Sequence, residues 1–174
     1  MEIVATRTAA ATSSMGDIHA TPMFHGTAGD AFDGFMSCRP AFFTSNPRYA
    51  EVYAGKGEGA SRIVEVRLDV RRAYDGRSAE DVTFWNEDFV PWMKDRFPEI
   101  ARTLGPITSC DGVPFIWADD FFVHLRRTAR SGTSTYDGMI VDEGGTGNEV
   151  GGSGLTVVPL HVTQIAIASI HAGT

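Results

Sequence analysis

Cysteine is scarce in this chain of 174 residues: there are two, Cys38 and Cys110, far apart and without metal-ligand spacing. That excludes a disulfide framework and points to two unpaired, buried thiols in a reducing compartment rather than to a single cross-link. Long apolar runs are missing too. None approaches the ~20 residues needed to cross a bilayer, so no membrane partner is expected. Positive charge is also in deficit. A formal net charge of −7 argues against nonspecific binding to nucleic acid. The basic residues are almost all arginines and could still build a local anion site. Met1 to Met15 carries one basic residue, Arg7, and no long apolar core, which makes no convincing secretory signal; a cytoplasmic location is expected. What remains is ordinary for a globular protein, with 43% hydrophobic and 21% charged residues. The length suits one domain, residues 1–174, with a core that needs no staple. Within it, residues 1–20 read as a loosely ordered arm, the small and polar residues from Ala9 to Ser14 suiting either such an arm or a loop between a first short strand at Glu2 to Thr6 and the His25 strand.

Periodicity then divides the chain. From Arg62 to Val70, Val64, Val66, Leu68 and Val70 alternate with Ile63, Glu65, Arg67 and Asp69, predicting a strand with one buried face. Between Ser78 and Leu104, Phe84, Trp85, Phe89, Trp92, Met93 and Phe97 form an aromatic stripe at helical spacing, with Ser78 or Asp81 as N-cap. Pro91 and Pro98 are expected to break this helix into pieces. Such a stripe reads as core before it reads as a partner groove. Phe115 to Arg130 predicts another helix, with Asp119 and Asp120 near its start and Arg126, Arg127 and Arg130 near its end, as the helix dipole favours. Adjacent helical aspartates point about 100° apart and cannot flank one bond, so a paired-carboxylate glycosidase is excluded. Late strands are expected from Tyr136 to Asp142, from Leu155 to Leu160 and from Gln164 onward. His124, His161 and His171 belong to no ligand pattern, and no metal is expected.

The stretch with most chemical content lies earlier. Pro22-Met23-Phe24 reads as a strand that delivers His25, followed by Gly26 and Thr27. Gly29 to Phe35 suggests one helical turn seating Phe32 and Phe35 on the core. Ala41-Phe42-Phe43 reads as a second strand; Ser45 or Asn46 would cap a helix with Pro47 at its first position, and Tyr49, Ala50 and Tyr53 would share one face. A histidine, a backbone without side chain and converging rings suit a cleft for a flat ligand.

This constellation resembles the diphtheria-toxin and poly(ADP-ribose)-polymerase-like ADP-ribosyltransferases, the His-Tyr-Glu branch. The likeness rests on His25-Gly26-Thr27 after a strand, Phe42-Phe43-Thr44 at a strand end, and a helix closing with Ala50 and Tyr53. It implies an α+β fold of two small, mainly antiparallel sheets with flanking and inserted helices around a cleft for NAD as substrate. It further implies that His25 bonds a ribose hydroxyl, Gly26 pairs with the carboxamide, Phe42 and Tyr53 sandwich the nicotinamide, and Phe43, Thr27 and Thr44 line the pocket. Phe42 stands where the family has a tyrosine, which keeps stacking and loses a hydroxyl.

The family's glutamate, placed at the start of the penultimate strand, would support positive charge on the ribose as nicotinamide leaves. Direct register puts Leu155 or Thr156 there, and neither carries a carboxyl group. Glu149, in Asn148-Glu149-Val150 before a glycine-rich stretch, is the first candidate, with Glu143 and Asp142 in reserve. The stretch from Gly144 to Gly154 also reads as a substrate-recognition loop. A rival branch built on an arginine, a Ser-Thr-Ser strand and a Glu-x-Glu pair would use Arg7 and Thr133-Ser134-Thr135, but the chain has no Glu-x-Glu. The expected activity is mono-ADP-ribosylation of a host protein, as by a bacterial or phage-borne effector or toxin. A binding module without transfer, an NAD glycohydrolase, or an interaction domain using Trp85, Trp92 and Phe97 are the alternatives.

Overall fold

The computed structural model describes residues 15–29, 32–56, 59–144, 151–152 and 154–172. A short helix α1 (Met15–Ala20) precedes β1 (Met23–Ala28), β2 (Phe43–Thr44), α2 (Pro47–Ala54), β3 (Ser61–Leu68) and β4 (Ala73–Tyr74). Helices α3 (Ala79–Phe84) and α4 (Val90–Arg96), strand β5 (Val113–Pro114) and helix α5 (Ala118–Ser131) follow. Strands β6 (Gly138–Asp142), β7 (Thr156–Pro159) and β8 (Ile165–Ala172) complete an α+β architecture. Among the described residues no helix is long and apolar enough to cross a membrane.

The strands form one mixed sheet ordered β4-β6-β7-β2-β1-β3-β8, with β5 beside β6. This corrects the expectation of two separate sheets. The halves are joined by the two residues of β2, paired to β1 through Phe24↔Thr44 and to β7 through Phe43↔Val157 and Thr44↔Thr156. Ser45, Asn46 and Pro47 end β2 at once by starting α2, so the bridge stays narrow.

Strand β3 matches its pattern, since Val64, Val66, Leu68 and Val70 are all buried. They pack with Ile18, Met23, Phe43, Ile140 and Val157 in an aliphatic cluster. A second, larger cluster is aromatic: Tyr74, Trp85, Phe89, Phe121, Phe122 and Tyr136 pack with Met93, Leu125 and Val158. The Ser78-to-Phe97 stripe is therefore core. Ser78 does cap α3, accepting from the Asp81 amide at 3.0 Å. Pro91, however, does not break the helix. Between α3 and α4 the chain widens into a π turn, Trp85–Phe89, in which the Val90 amide donates to the Trp85 carbonyl. That wider spacing absorbs a residue with no N–H of its own, and the helical segment runs on to Arg96.

Two other expectations change. Phe32 and Phe35 lie on an irregular segment rather than a helical turn, because Gly34 between them adopts φ 110°, outside helical space. Their rings still meet edge-on at 5.0 Å against the aliphatic cluster. Cys38 is exposed rather than buried, and Cys110 is half-buried; both are free thiols. His124, by contrast, is wholly buried, with Nε2 3.0 Å from the Asp88 carboxylate and Phe84, Phe89 and Trp92 around its ring.

Candidate functional site

Where the two halves of the sheet meet, an apolar cleft of about 190 Å³ opens to solvent. An apolar cavity of about 150 Å³ holds one benzene ring, so this space suits one flat ring and not a whole dinucleotide.

Strand β1 supplies one wall. It continues through His25, Gly26 and Thr27, paired throughout with β3. Gly26 faces the second half of α2 so closely that a Cβ there would lie 1.8 Å from the Ala50 carbonyl oxygen and 2.9 Å from the Ala54 nitrogen. The glycine thus lets the helix lie flush on the strand, a packing role besides any role toward a ligand. His25 lies 2.9 Å through Nδ1 from the Phe42 carbonyl. A carbonyl can only accept, so Nδ1 carries the proton and Nε2 keeps a lone pair. Burial lowers the His25 pKa below its usual value, only partly countered by this hydrogen bond, so the ring is neutral at pH 7.

Helix α2 supplies the second wall. Asn46 caps it, its Oδ1 accepting from the Arg48 amide at 3.1 Å, with Pro47 at the first position as the sequence suggests. The same side chain reaches across with Nδ2 to the Gly152 carbonyl at 2.7 Å, while Ser45 Oγ accepts from the Leu155 amide at 2.9 Å. The start of the helix is thereby stitched to the end of the glycine-rich stretch. One turn apart, Tyr49 and Tyr53 place their rings 5.2 Å from each other at the cleft.

The floor belongs to the other half of the molecule. Glu143, just past β6, is buried and receives three hydroxyls: Tyr49 donates to Oε2, Tyr53 donates to Oε2 at 3.0 Å, and Thr156 donates to Oε1 at 2.8 Å. Burial, then the neighbouring Tyr49 hydroxyl and Glu143, push the Tyr53 hydroxyl well above its usual range, so it stays a donor. Glu143 is the one acidic residue among those lining the cleft. Phe42 and Phe115 form the remaining rim, ring centroids 5.7 Å apart.

The structure therefore brings together His25, Gly26, Phe42, Thr44 and Tyr53. Two residues assigned to the pocket stand apart from it. Phe43 is fully buried in the aliphatic cluster, because successive strand residues face opposite sides of the sheet. Thr27 is paired with Arg62 beyond the cleft lining. Glu149 lies outside the described residues. Of the reserves, Asp142 is exposed and its carboxylate caps the Gly144 amide at 2.9 Å, whereas Glu143 lies in the cleft. Tyr49 joins Tyr53 at the cleft, as their shared helical face leads one to expect. Sequence reasoning missed Phe115 and Thr156 as cleft residues. Thr156 holds Glu143 in the cleft by its hydroxyl, with Val141↔Thr156 as the last strand pair before Glu143. Among the described residues no group of three or more His, Cys, Asp or Glu side chains is placed to hold a metal ion. Comparison with protein-family models, with curated proteins and with solved structures finds no match for this chain.

Proposed function

We propose that the cleft takes the nicotinamide end of NAD and that the protein is a mono-ADP-ribosyltransferase acting on a protein acceptor. The reading is carried by one observation: a histidine with a free Nε2, a tyrosine and one buried carboxyl group, His25, Tyr53 and Glu143, line a single ring-sized apolar cleft. In this reading the ring lies in the cleft against Phe42, and His25 Nε2 accepts a hydrogen bond from a ribose hydroxyl. The C1′–N bond breaks, its electron pair neutralises the pyridinium nitrogen, and positive charge develops on the ribose. Glu143 supports that charge in a water-poor site, where a fixed carboxylate is worth most. The acceptor's lone pair then attacks C1′ and its proton leaves to Glu143 or water.

The test is nicotinamide release by the purified protein, with labelled NAD and a cell lysate. Glu143→Gln is expected to slow release by about 10²–10³-fold, and His25→Ala to raise KM. Full activity in Glu143→Gln together with its loss in Glu149→Gln would move the catalytic role to Glu149. Release without label on any protein would make the activity NAD hydrolysis. The three hydroxyls that already occupy Glu143 favour a second reading, NAD or ADP-ribose binding without transfer. It predicts a rise in melting temperature with NAD and no nicotinamide released.

A further inference from the structure

We propose that Phe115 is the aromatic wall that closes the cleft over a bound ring and selects the nicotinamide end of the ligand; this rests on the NAD reading above. The placement follows from strand pairing. β5 runs parallel to β6 with Val113↔Val141 and Pro114↔Asp142 in register. The residue just past the end of each strand is Phe115 on one and Glu143 on the other. Both line the cleft.

Phe115 contributes little to the core. Phe115 is 49% exposed, and the neighbouring Ile116 is 77% exposed, whereas the following α5 buries Phe121, Phe122 and Leu125. A large ring left half in water at the mouth of a ring-sized apolar space has area to lose when a flat ligand enters. Tyr53 is less available. It already has the Lys56 ammonium 4.3 Å from its ring centre and the Tyr49 ring against it. The nicotinamide of NAD is cationic, and a lysine on the Tyr53 ring disfavours a second positive charge there. The Phe42–Phe115 pair offers two rings 5.7 Å apart, inclined at 54°.

The experiment compares binding of NAD, nicotinamide and ADP-ribose to the full chain by calorimetry, in wild type, Phe115→Ala, Phe115→Leu and Phe115→Trp. Removing a stacking ring is expected to weaken NAD and nicotinamide about tenfold. ADP-ribose, which lacks the ring, should bind unchanged. Leucine should not restore affinity; tryptophan should, with its added fluorescence quenched by NAD. Equal affinity of Phe115→Ala and wild type for NAD would overturn the proposal while leaving the NAD reading intact. So would full rescue by leucine, which would make the contact mere filling, or an equal loss toward ADP-ribose, which would make it structural. A wild-type protein that binds neither NAD nor nicotinamide would remove both readings together.

Discussion

The half of the sheet around β6 and the half around β3 are built by different means. Around β6 the core is rings: Tyr74, Trp85, Phe89, Phe121 and Tyr136 pack in a cluster that also buries Asp81 and His124. Burial alone would raise the Asp81 pKa, but the Tyr136 hydroxyl and amides of the Asp75 turn hold it below its usual value. Around β3 the core is aliphatic, and the tightest contact is backbone on backbone, α2 against Gly26. The cleft draws His25, Tyr49 and Tyr53 from the second half and Glu143, Thr156 and Phe115 from the first. A site shared between unlike halves depends on the packing of both.

The strongest way to break the comparison is Trp85→Ala, which empties the centre of the aromatic half. It should cost about 3–5 kcal/mol in a denaturant titration, against roughly 1–3 kcal/mol for Val64→Ala in the aliphatic half. Gly26→Ala comes next. Its methyl group cannot coexist with the Ala50 carbonyl, so α2 must shift. The expected cost is about 1–3 kcal/mol, with loss of ligand binding beyond what the lost stability explains, because Tyr49 and Tyr53 move with the helix. An unaltered urea midpoint would show that the helix is not seated as described.

The smallest effect is a dependence on pH. Burial lowers the His124 pKa to about 4, with Asp88 opposing and Arg127 assisting. The unfolded chain, with a histidine pKa of about 6.5, therefore takes up this proton first as pH falls. Stability from this group is complete above about 6.5 and is lost progressively down to about 4. Melting temperatures between pH 7.5 and 4.5 should fall less steeply in His124→Gln than in the wild type. Parallel slopes would mean that His124 does not titrate as the fold dictates.

How much of this was legible in the sequence depends on how far apart the partners lie. The β3 alternation, the Ser78 cap and the Asn46-Pro47 helix start are local, and each stands where the residues put it. Pro91 misled because a π turn has no composition of its own; five residues from Trp85 to Phe89 simply shift their hydrogen bonds. That Glu143 lies in the cleft comes from the register of β6 against β7 and the hydroxyls of α2, which counting along the chain cannot give; Glu149 lies outside the described residues. Phe115 was read only as part of a helix, since its place at the cleft comes from a two-residue parallel pairing that no periodicity reveals. Direct readings thus reach much of the cleft lining that comes from the continuous segment between His25 and Tyr53, and little of the lining assembled across the sheet.

Asn46 holds both the start of α2 and the Gly152 carbonyl with one amide side chain. Asparagines age into aspartate when the next residue's backbone nitrogen closes a five-membered imide ring on the side chain. Here that nitrogen belongs to Pro47 and bears no hydrogen. The residue that would lose its side-chain donor by such ageing, and with it the tie to the glycine-rich stretch, is followed by the one amino acid that closes that chemical route.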